Sequence, residues 1–447
     1  MKRRPKVVII GGGFGGLCAA QALKSAAVDV TLIDRHNYHL FQPLMYQVAT
    51  GSLSPGEIAA PLRSVLNRQK NTRVLLGEVV DVDPVSKQVL LADGSAFGYD
   101  FLIVASGSQT SYYGHDEWRE WAPSLKTVEE ATTLRHKILY AFEVAERIQD
   151  PDQRPSWLSF VIVGAGATGV EVAGALAEIA RQTLKNDFRS IRSNEAQIIL
   201  IDGAQRILPS LPEDLAGKAD HALQKLGVLI RTGVFVTCID RDGLTVKTKE
   251  SSEHLAAKTI IWAGGIEPSD LGRKLASHTH AQTDKSGRIK VKNDLTVPGY
   301  PDLYVIGDLA LGFRPNGEPL PGVAQVAMQQ GAYAARAILK KIDGGKEPRP
   351  FRYFDKGDLA VIGRGSAVAN IFGLHLWGLP AWVIWALVHL MYLVEFQSRV
   401  VVFVHWAFQY LTFSRGARLI TGTAASDIPE KMSESGVNDC QILNRDK

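Results

Sequence analysis

The sequence predicts an α/β fold, because one local pattern of strand, glycine-rich turn and helix occurs twice along its 447 residues. The copies span positions 7–23 and 160–179, and each is followed by an apolar strand that ends in an acid, Asp34 or Asp202. Strands that alternate with helices across short loops form parallel sheets. We therefore expect two Rossmann-like dinucleotide-binding domains, followed by a C-terminal helical region of different composition.

Composition excludes several other classes. A hydrophobic fraction of 46% and a charged fraction of 21% are typical of a globular chain of two or three domains. Cys18, Cys238 and Cys440 are far apart in the sequence and form no CxxC pair. Their spacing argues against a disulfide framework, a four-cysteine zinc site and a dithiol redox centre, and we expect no bound metal. A net charge of +4 is too small to indicate nucleic-acid binding.

The two glycine turns share one spacing. They consist of Gly11, Gly13 and Gly16 in the first copy and of Gly164, Gly166 and Gly169 in the second. In each set the first glycine makes a tight turn, the second lets a pyrophosphate approach the backbone, and the third lets the helix pack on the strand. The helix N-terminus then faces the phosphates with its free N–H groups. Two such sites indicate two dinucleotides, and hence an electron relay.

The acids after the second strands help to distinguish the cofactors. Asp34 follows the first loop at close to the usual interval, whereas Asp202 comes later, because the intervening helix is predicted to continue to about Arg192. Asp202 should accept hydrogen bonds from a ribose and repel a 2′-phosphate, which favours NADH over NADPH. Arg206 weakens this preference, since a nearby arginine can hold a 2′-phosphate.

Four segments together resemble the flavoprotein reductases with two dinucleotide domains: GGGFGG, the strand ending at Asp34, YDFLIVASGS and VIGD. The resemblance implies non-covalent FAD at the first loop and a nicotinamide cofactor at the second. It also implies that Asp308 of VIGD bonds the ribityl chain of FAD. SGS at positions 106–108 departs slightly from the TGS that is usual in that superfamily.

A closer resemblance rests on four further motifs: FQPLMYQVATGSLSP (41–55), GAGATGVE (164–171), AQVAMQQG (324–331) and YFDKGDLAVIGR (353–364). Together they are similar to the type II NADH:quinone oxidoreductases over about residues 5–420. This resemblance implies an enzyme that passes hydride from NADH to FAD, then two electrons and protons to a membrane quinone, without pumping protons. A soluble flavoprotein reductase of a redox protein partner and a redox-sensing flavoprotein scaffold remain alternatives.

The resemblance also implies site residues. For catalysis they are Glu171, as the proton supply to quinone, together with Gln325 and Lys356. For FAD they are Gly11, Gly13, Phe14, Gly15, Gly16, Asp34, Arg35, Gln42, Val80, Ala105, Gly107, Asp308, Gln325, Ala327 and Lys356. For NADH they are Gly164, Gly166, Thr168, Gly169, Glu171, Asp202 and Gly264. Two simpler explanations remain open: Glu171 as an acid favoured by a helix N-terminus, and Lys356 as a solvated loop lysine.

The C-terminal quarter combines aromatic side chains with positive charge. Aromatic and basic residues recur there at steps of 3 and 4, at Trp382, Trp385, His389, Tyr392, Phe396, Arg399, Phe403, Trp406, Tyr410 and Phe413. This spacing indicates one face of one or two helices. The uninterrupted stretch 381–394 would be about 21 Å long, too short for a hydrocarbon core of about 30 Å. The face either packs inward or lies on a membrane with Arg399, Arg415 and Arg418 on anionic lipid.

These observations predict the domain organisation. The predicted parts are an FAD domain at 1–115 and 295–342, an NADH domain at 116–294, a monotopic membrane-anchoring region at 351–420 and a disordered polar tail at 421–447. We expect residues 372–418 to contact the lipid surface on the cytoplasmic face of the cell or inner membrane. The quinone substrate dissolves in that bilayer. Homodimerisation is left open.

Overall fold

The computed structural model describes residues 3–345 and 349–421. The chain divides into two compact units. Unit 1 comprises residues 1–40, 59–110 and 266–356, and unit 2 comprises residues 41–58, 111–265 and 357–447. The expected disordered tail falls, beyond Thr421, outside the described residues.

Unit 1 is built on a six-stranded sheet. Its order is Thr296–Val297, Tyr300–Val305, Phe101–Val104, Lys6–Ile10, Asp29–Asp34 and Thr72–Leu76, with all pairs parallel except the first. The central strand Lys6–Ile10 is buried over its last four residues, as its continuous apolar run predicts. The strand–turn–helix pattern of the first copy is therefore confirmed.

Four helices and four smaller sheets complete unit 1. The helices are Phe14–Ala22, Leu62–Val65, Asp270–Thr279 and Ala324–Ile342. The smaller sheets pair Tyr38–Leu40 with Ala59–Pro61, Ser108–Thr110 with Ile266–Pro268, Ile289–Lys290 with Ala310–Leu311, and Val79–Asp83 with Gln88–Leu91 and Ala96–Gly98. The alternating apolar residues at positions 74–91 predict antiparallel strands, and such strands form only from Val79 onward. The residues before it belong to Thr72–Leu76, which pairs in parallel with Asp29–Asp34.

Unit 2 repeats the arrangement with a four-stranded parallel sheet. The strand order is Val228–Thr232, Gln197–Asp202, Ser159–Val163 and Thr259–Trp262. An antiparallel sheet of Phe235–Ile239, Gly243–Lys247 and Ser252–Ala256 adjoins it in sequence. The remaining helices before residue 357 are Met45–Ala49, Pro55–Ile58, Val128–Arg147, Ala167–Glu178 and Glu213–Lys225.

The helix of the second copy ends earlier than the sequence predicts. It covers Ala167–Glu178 and is followed by a π-helical turn at Ile179–Thr183, instead of continuing to Arg192. The later residues are polar and only a short 3₁₀ turn, Ser193–Glu195, forms there. Helical propensity alone does not maintain a helix whose next turns have no apolar face to bury.

The C-terminal region contains a sheet that the sequence analysis missed. Strands Asp358–Gly363, Ser366–Ile371 and Leu374–Gly378 form an antiparallel meander. The two helices Leu379–Tyr392 and Phe396–Thr412 follow it. The region therefore contains the expected helices and, in addition, a three-stranded sheet that was not predicted. The whole stretch is apolar and aromatic, so its hydropathy does not reveal the short strands that lie between the glycine turns.

Gly174 explains how this meander attaches within unit 2. A Cβ on Gly174 would collide with the carbonyl oxygen of Ile362. The helix Ala167–Glu178 and the strand Asp358–Gly363 therefore approach at backbone distance, which only glycine allows. The strand covers the helix face that carries Glu171 and buries that carboxyl.

Candidate active site

The first glycine loop has the geometry that a pyrophosphate requires. Gly11 has φ +97°, and a Cβ on Gly16 would collide with the Gly11 carbonyl oxygen. A Cβ on Gly13 would meet no atom within 4 Å, so the backbone there faces open space. The Asp34 carboxylate accepts hydrogen bonds from the amides of Gly12 at 2.5 Å and His36 at 2.6 Å, which anchors the acid beside the loop.

Most other residues of the predicted FAD set also lie in unit 1. Asp308 follows the strand Tyr300–Val305 and accepts a hydrogen bond from the Ser108 hydroxyl at 2.6 Å. Phe14 and Gly15 begin the first helix, and Ala105 lies against Gly11. Arg35 is exposed, Val80 lies in a strand, and Gly107 has φ +69°. Gln42 instead belongs to unit 2.

The helix Ala324–Ile342 carries Gln325 and Ala327 in its first turn. Gln330, one turn later, accepts a hydrogen bond from the Gly307 amide at 2.7 Å and so ties this helix to the turn that holds Asp308. A helix N-terminus stabilises negative charge placed before it. Lys356 is exposed and lines a groove beside Cys18 in the same unit.

The second glycine loop reproduces the first. Gly164 has φ +105° and lies against Gly264, and Gly166 faces open space. Gly169 is confined by the Gly164 carbonyl oxygen, whereas Thr168 is exposed at the helix start. The loop can therefore hold a second dinucleotide.

Asp202 and Arg206 have different surroundings. The Asp202 carboxylate accepts hydrogen bonds from the amides of Ala165 at 2.5 Å and Ala204 at 2.7 Å. The Arg206 guanidinium donates to the carbonyl oxygens of Leu211 at 2.8 Å and Pro209 at 3.0 Å. Arg206 is thus engaged by its own loop, which reduces its availability to a 2′-phosphate.

Glu171 is a buried carboxyl inside unit 2. It lies one turn beyond the helix start, and only 9% of the residue is exposed. Burial raises its pKa from 4.5 to about 8, which the Val361 amide, 3.4 Å from Oε1, and the Trp385 indole oppose only in part. An acid favoured merely by the helix dipole would have a lowered pKa. The helix dipole alone therefore does not account for the environment of Glu171, and its proton role stays a prediction.

Glu171 lines a cleft of about 100 Å³ that is open to solvent. Its lining contains polar side chains, here called the polar wall, and aromatic side chains, here called the aromatic wall. The polar wall includes Tyr46, Gln47, Glu178 and Arg415, and the aromatic wall includes Trp382, Trp385, Trp406, Tyr410 and Phe413. The Trp406 indole donates to Gln47 at 2.7 Å, and the Gln47 amide donates to the Tyr46 hydroxyl at 2.8 Å. The cleft can hold an aromatic ring that carries polar oxygens.

The sequence analysis missed the polar wall. Glu178 lies seven residues after Glu171, so helical spacing alone could have placed both on one face. Tyr46 and Gln47 belong to the motif at 41–55, where no spacing indicates which side chains face a cleft.

Arg415 does not meet lipid as expected. It is 8% exposed, pairs with Glu178 at 3.0 Å and donates to the Thr50 carbonyl oxygen at 3.2 Å. Arg418 pairs with Asp187 at 2.6 Å at a more exposed site. The Arg415 prediction was wrong, because the guanidinium is buried against the partly exposed Glu178 carboxylate and the Thr50 carbonyl oxygen, which are distant from it in sequence.

The aromatic face of the C-terminal helices is divided. Its centre packs inward, with Trp385, His389 and Trp406 buried and the two indole rings 5.1 Å apart. Phe396 and Phe403, which lie between these buried residues in the sequence, are exposed. The alternative of inward packing therefore applies to Trp385 and Trp406, and contact of the exposed residues with lipid stays a prediction.

The outward surface is instead aliphatic and phenylalanine-rich. Of the twenty-four large apolar side chains exposed among the described residues, sixteen lie between residues 372 and 420. They include Leu387, Met391, Phe396, Phe403, Phe408 and Leu411. Within residues 3–345 and 349–421, no helix is long and apolar enough to cross a bilayer.

The fold and the two glycine loops define a class of oxidoreductase with two dinucleotide sites. Residues 5–331 match the pyridine nucleotide-disulphide oxidoreductase family. The type II NADH:quinone oxidoreductase Ndh of Mycobacterium tuberculosis is 46% identical over 429 residues, which are 95% of this chain and 92% of that protein. The Staphylococcus aureus type II NADH:quinone oxidoreductase is 30% identical over 384 residues, 85% of this chain and 92% of that protein. The chain belongs to the type II NADH:quinone oxidoreductase family.

Solved structures show the same fold. The structure of NDH2 from Plasmodium falciparum in complex with NADH has a TM-score of 0.84 at 22% identity and covers 94% of this chain and 100% of that one. The sulfide:quinone oxidoreductase of Aquifex aeolicus has a TM-score of 0.71 at 16% identity and covers 88% and 91%. Together with the two Rossmann-like sheets, these matches confirm the predicted fold class.

Proposed function

We propose a division of roles among this chain's residues in the NADH:quinone oxidoreductase reaction. The enzyme oxidises NADH and reduces quinone, with FAD as its cofactor, and does not pump protons. The observation that supports the division is a single helix, Ala167–Glu178, which starts at the second glycine loop and carries Glu171 into the cleft one turn later. A nucleotide site and a proton-holding group are thus held on one rigid element.

When bound at the first loop, FAD would supply the redox chemistry that takes hydride from NADH and gives two electrons to the quinone. The first loop fits its pyrophosphate, because Gly13 leaves open space where a side chain would block approach. Asp34 is proposed to bond the adenosine ribose of FAD, and Asp308 is proposed to bond its ribityl chain on the family resemblance. The other residues of the predicted FAD set, with Gln42 and Lys356 among them, are kept in this proposal on the family resemblance.

NADH is assigned to the second loop. Gly164, Gly166 and Gly169 receive its pyrophosphate, while Gly264 lies beside the turn and Thr168 at the helix start. Asp202 takes the adenosine ribose. The engagement of Arg206 by its own loop supports a preference for NADH over NADPH.

Quinone reduction requires two protons, and Glu171 is the proposed donor in the cleft. A pKa of about 8 keeps it protonated at neutral pH, so it can donate to a reduced ring oxygen. The aromatic wall of the cleft suits a flat ring. Gln325 is proposed to contact quinone on the family resemblance alone.

The test is an anaerobic assay of the two half-reactions. NADH should bleach the flavin absorbance, and a ubiquinone or menaquinone analogue should restore it. A protein whose flavin NADH leaves oxidised would contradict the proposal, as would a reduced protein that only a protein acceptor reoxidises. The latter result would favour the reductase of a redox protein partner. Slow turnover with every quinone would favour the redox-sensing scaffold.

We also propose that residues 372–418 attach the enzyme to a lipid surface. The concentration of exposed apolar side chains in this region supports it, because soluble surfaces rarely gather so many in one segment. Such attachment would bring the enzyme to a substrate that dissolves in the bilayer. The cytoplasmic face of the cell or inner membrane is the proposed location.

Vesicle co-sedimentation tests the attachment. A variant with Leu387, Met391 and Phe396 each changed to Glu should lose most binding to phosphatidylglycerol vesicles while it still reduces a soluble dye with NADH. The matched control places the same three charges at exposed apolar positions outside the region, Leu76, Val85 and Leu229. Equal sedimentation of both variants would refute the proposed surface. Light scattering of the full chain in detergent would measure the homodimer, which stays a prediction.

A further inference from the structure

Two exposed aromatic rings of unit 2 lie on opposite sides of the second glycine loop. The loop follows strand Ser159–Val163, whose neighbours in the sheet are Gln197–Asp202 on one side and Thr259–Trp262 on the other. A dinucleotide that crosses this edge has its adenosine beside the strand ending at Asp202. Its nicotinamide half must then lie on the side of Thr259–Trp262.

Tyr113 occupies the nicotinamide side. It is 72% exposed and has φ +55°, an unfavourable conformation for a bulky residue. Its ring lies 3.1 Å from the place where a Cβ on Gly265 would be, and the adjoining Gly264 packs against Gly164. A strained and exposed tyrosine gains little from burial, so its position calls for another explanation.

The core of unit 2 holds this tyrosine in place. The Tyr112 ring is fully buried and lies 5.1 Å from the Trp262 ring at an interplanar angle of 31°. Its hydroxyl donates to the Ala122 carbonyl oxygen at 2.9 Å. The His115 amide donates to the Tyr112 carbonyl oxygen at 3.1 Å and closes the turn that has Tyr113 at its tip. The exposed ring is therefore presented by a rigid support.

Phe235 occupies the adenosine side. It is 62% exposed, and its ring lies 2.6 Å from the place of a Cβ on Gly203, the residue after Asp202. The Val234 amide donates to the Asp202 carbonyl oxygen at 3.0 Å and fixes the start of this strand beside the acid. The ring thus lies close to where an adenine would extend from the ribose.

We propose that these two rings bracket the bound nicotinamide nucleotide, with Phe235 against the adenine and Tyr113 against the nicotinamide riboside. The inference rests on the proposed assignment of NADH to this loop. Flat heterocycles stack on aromatic side chains, and rings on rigid supports lose little freedom when they do so. Both residues contact the nucleotide and set its position, while the hydride transfer itself is unchanged.

Calorimetric titration of the FAD-containing enzyme with NAD⁺ and with ADP-ribose separates the two roles, because ADP-ribose lacks the nicotinamide. Phe235→Ala should weaken both ligands about tenfold. Tyr113→Gly, which also relieves the backbone strain, should weaken NAD⁺ about tenfold and leave ADP-ribose unchanged. Tyr113→Phe keeps the ring and should bind both ligands normally.

Asp202→Ala tests the assignment of NADH to this loop separately from the role of the two rings. It should weaken the binding of both ligands whether or not the rings contact them. If Asp202→Ala changes neither affinity, the NADH site itself is wrongly assigned. Two results would overturn the proposed stacking when Asp202→Ala weakens both ligands. In one, Tyr113→Gly leaves the affinity for NAD⁺ unchanged. In the other, Tyr113→Gly weakens the binding of ADP-ribose as much as that of NAD⁺. Flavin content and thermal melting of each variant verify that it is folded.

Discussion

Replacing Glu171 by Gln tests the proton role most directly. With a pKa of about 8, about 90% of the Glu171 carboxyls carry a proton at pH 7, against about 0.3% for a carboxyl at the ordinary value of 4.5. Gln has the same shape and accepts a hydrogen bond from the Val361 amide, but has no acidic proton to give. We expect quinone reduction to slow about 100-fold, the usual contribution of a general acid, while flavin reduction by NADH changes little.

The pH dependence gives a second readout of the same variant. In the unmodified enzyme the rate of flavin reoxidation by quinone should fall as pH rises through about 8, because the carboxyl loses its proton. The Gln variant should be slow and independent of pH in that range. Since the folded pKa is raised, the stability that the protonated carboxyl contributes is lost between about pH 4.5 and 8, and the variant should show no such loss.

Stopped-flow absorbance of the flavin measures each half-reaction separately. Glu143→Gln, at an exposed position of the same unit, serves as the matched control and should change neither. Equal slowing of both half-reactions by Glu171→Gln would refute the proton role and indicate a general disturbance of the site. An unaltered pH profile in that variant would refute it as well.

Two stability predictions follow from the attachment of the C-terminal segment. Gly174→Ala should cost about 3 kcal/mol or more and lower the melting temperature, because the new Cβ meets the strand backbone. Gly217→Ala, in an open helical position, should be neutral or mildly stabilising, and similar melting of the two would contradict the close packing. Arg415→Met should cost about 2 kcal/mol, because it leaves the partly buried Glu178 carboxylate with the Arg364 amide but without its cationic partner. Adding Glu178→Met should restore most of that loss, and a further drop would argue against the ion pair.

The glycine loops were predictable because the local backbone conformation requires glycine at each of these positions. Gly11 and Gly164 need positive φ, and Gly16 and Gly169 leave no room for a Cβ against the first glycine of their own loop. These requirements involve only residues that are close together in the sequence, so a short motif reveals them. The two sheets and the acids at their edge followed from the same local pattern.

The cleft could not be predicted in this way, because its walls come from distant segments. Arg415 pairs with Glu178, which lies 237 residues earlier, and nothing local marks that choice. The aromatic spacing correctly indicated helices, but a period of 3.6 does not tell which face is buried. Trp385 and Trp406 pack inward because large rings gain more from burial than the smaller aliphatic side chains that remain outside.

The close crossing of Asp358–Gly363 over Ala167–Glu178 also sets an order of events during synthesis. Both glycine loops leave the ribosome before this strand does, so a nascent chain can complete its dinucleotide turns while Glu171 is still hydrated and ionised. The carboxyl acquires its high proton affinity only when the strand Asp358–Gly363 has been made and has docked on its helix. Competence to protonate the acceptor therefore arrives together with the segment that carries the exposed apolar surface.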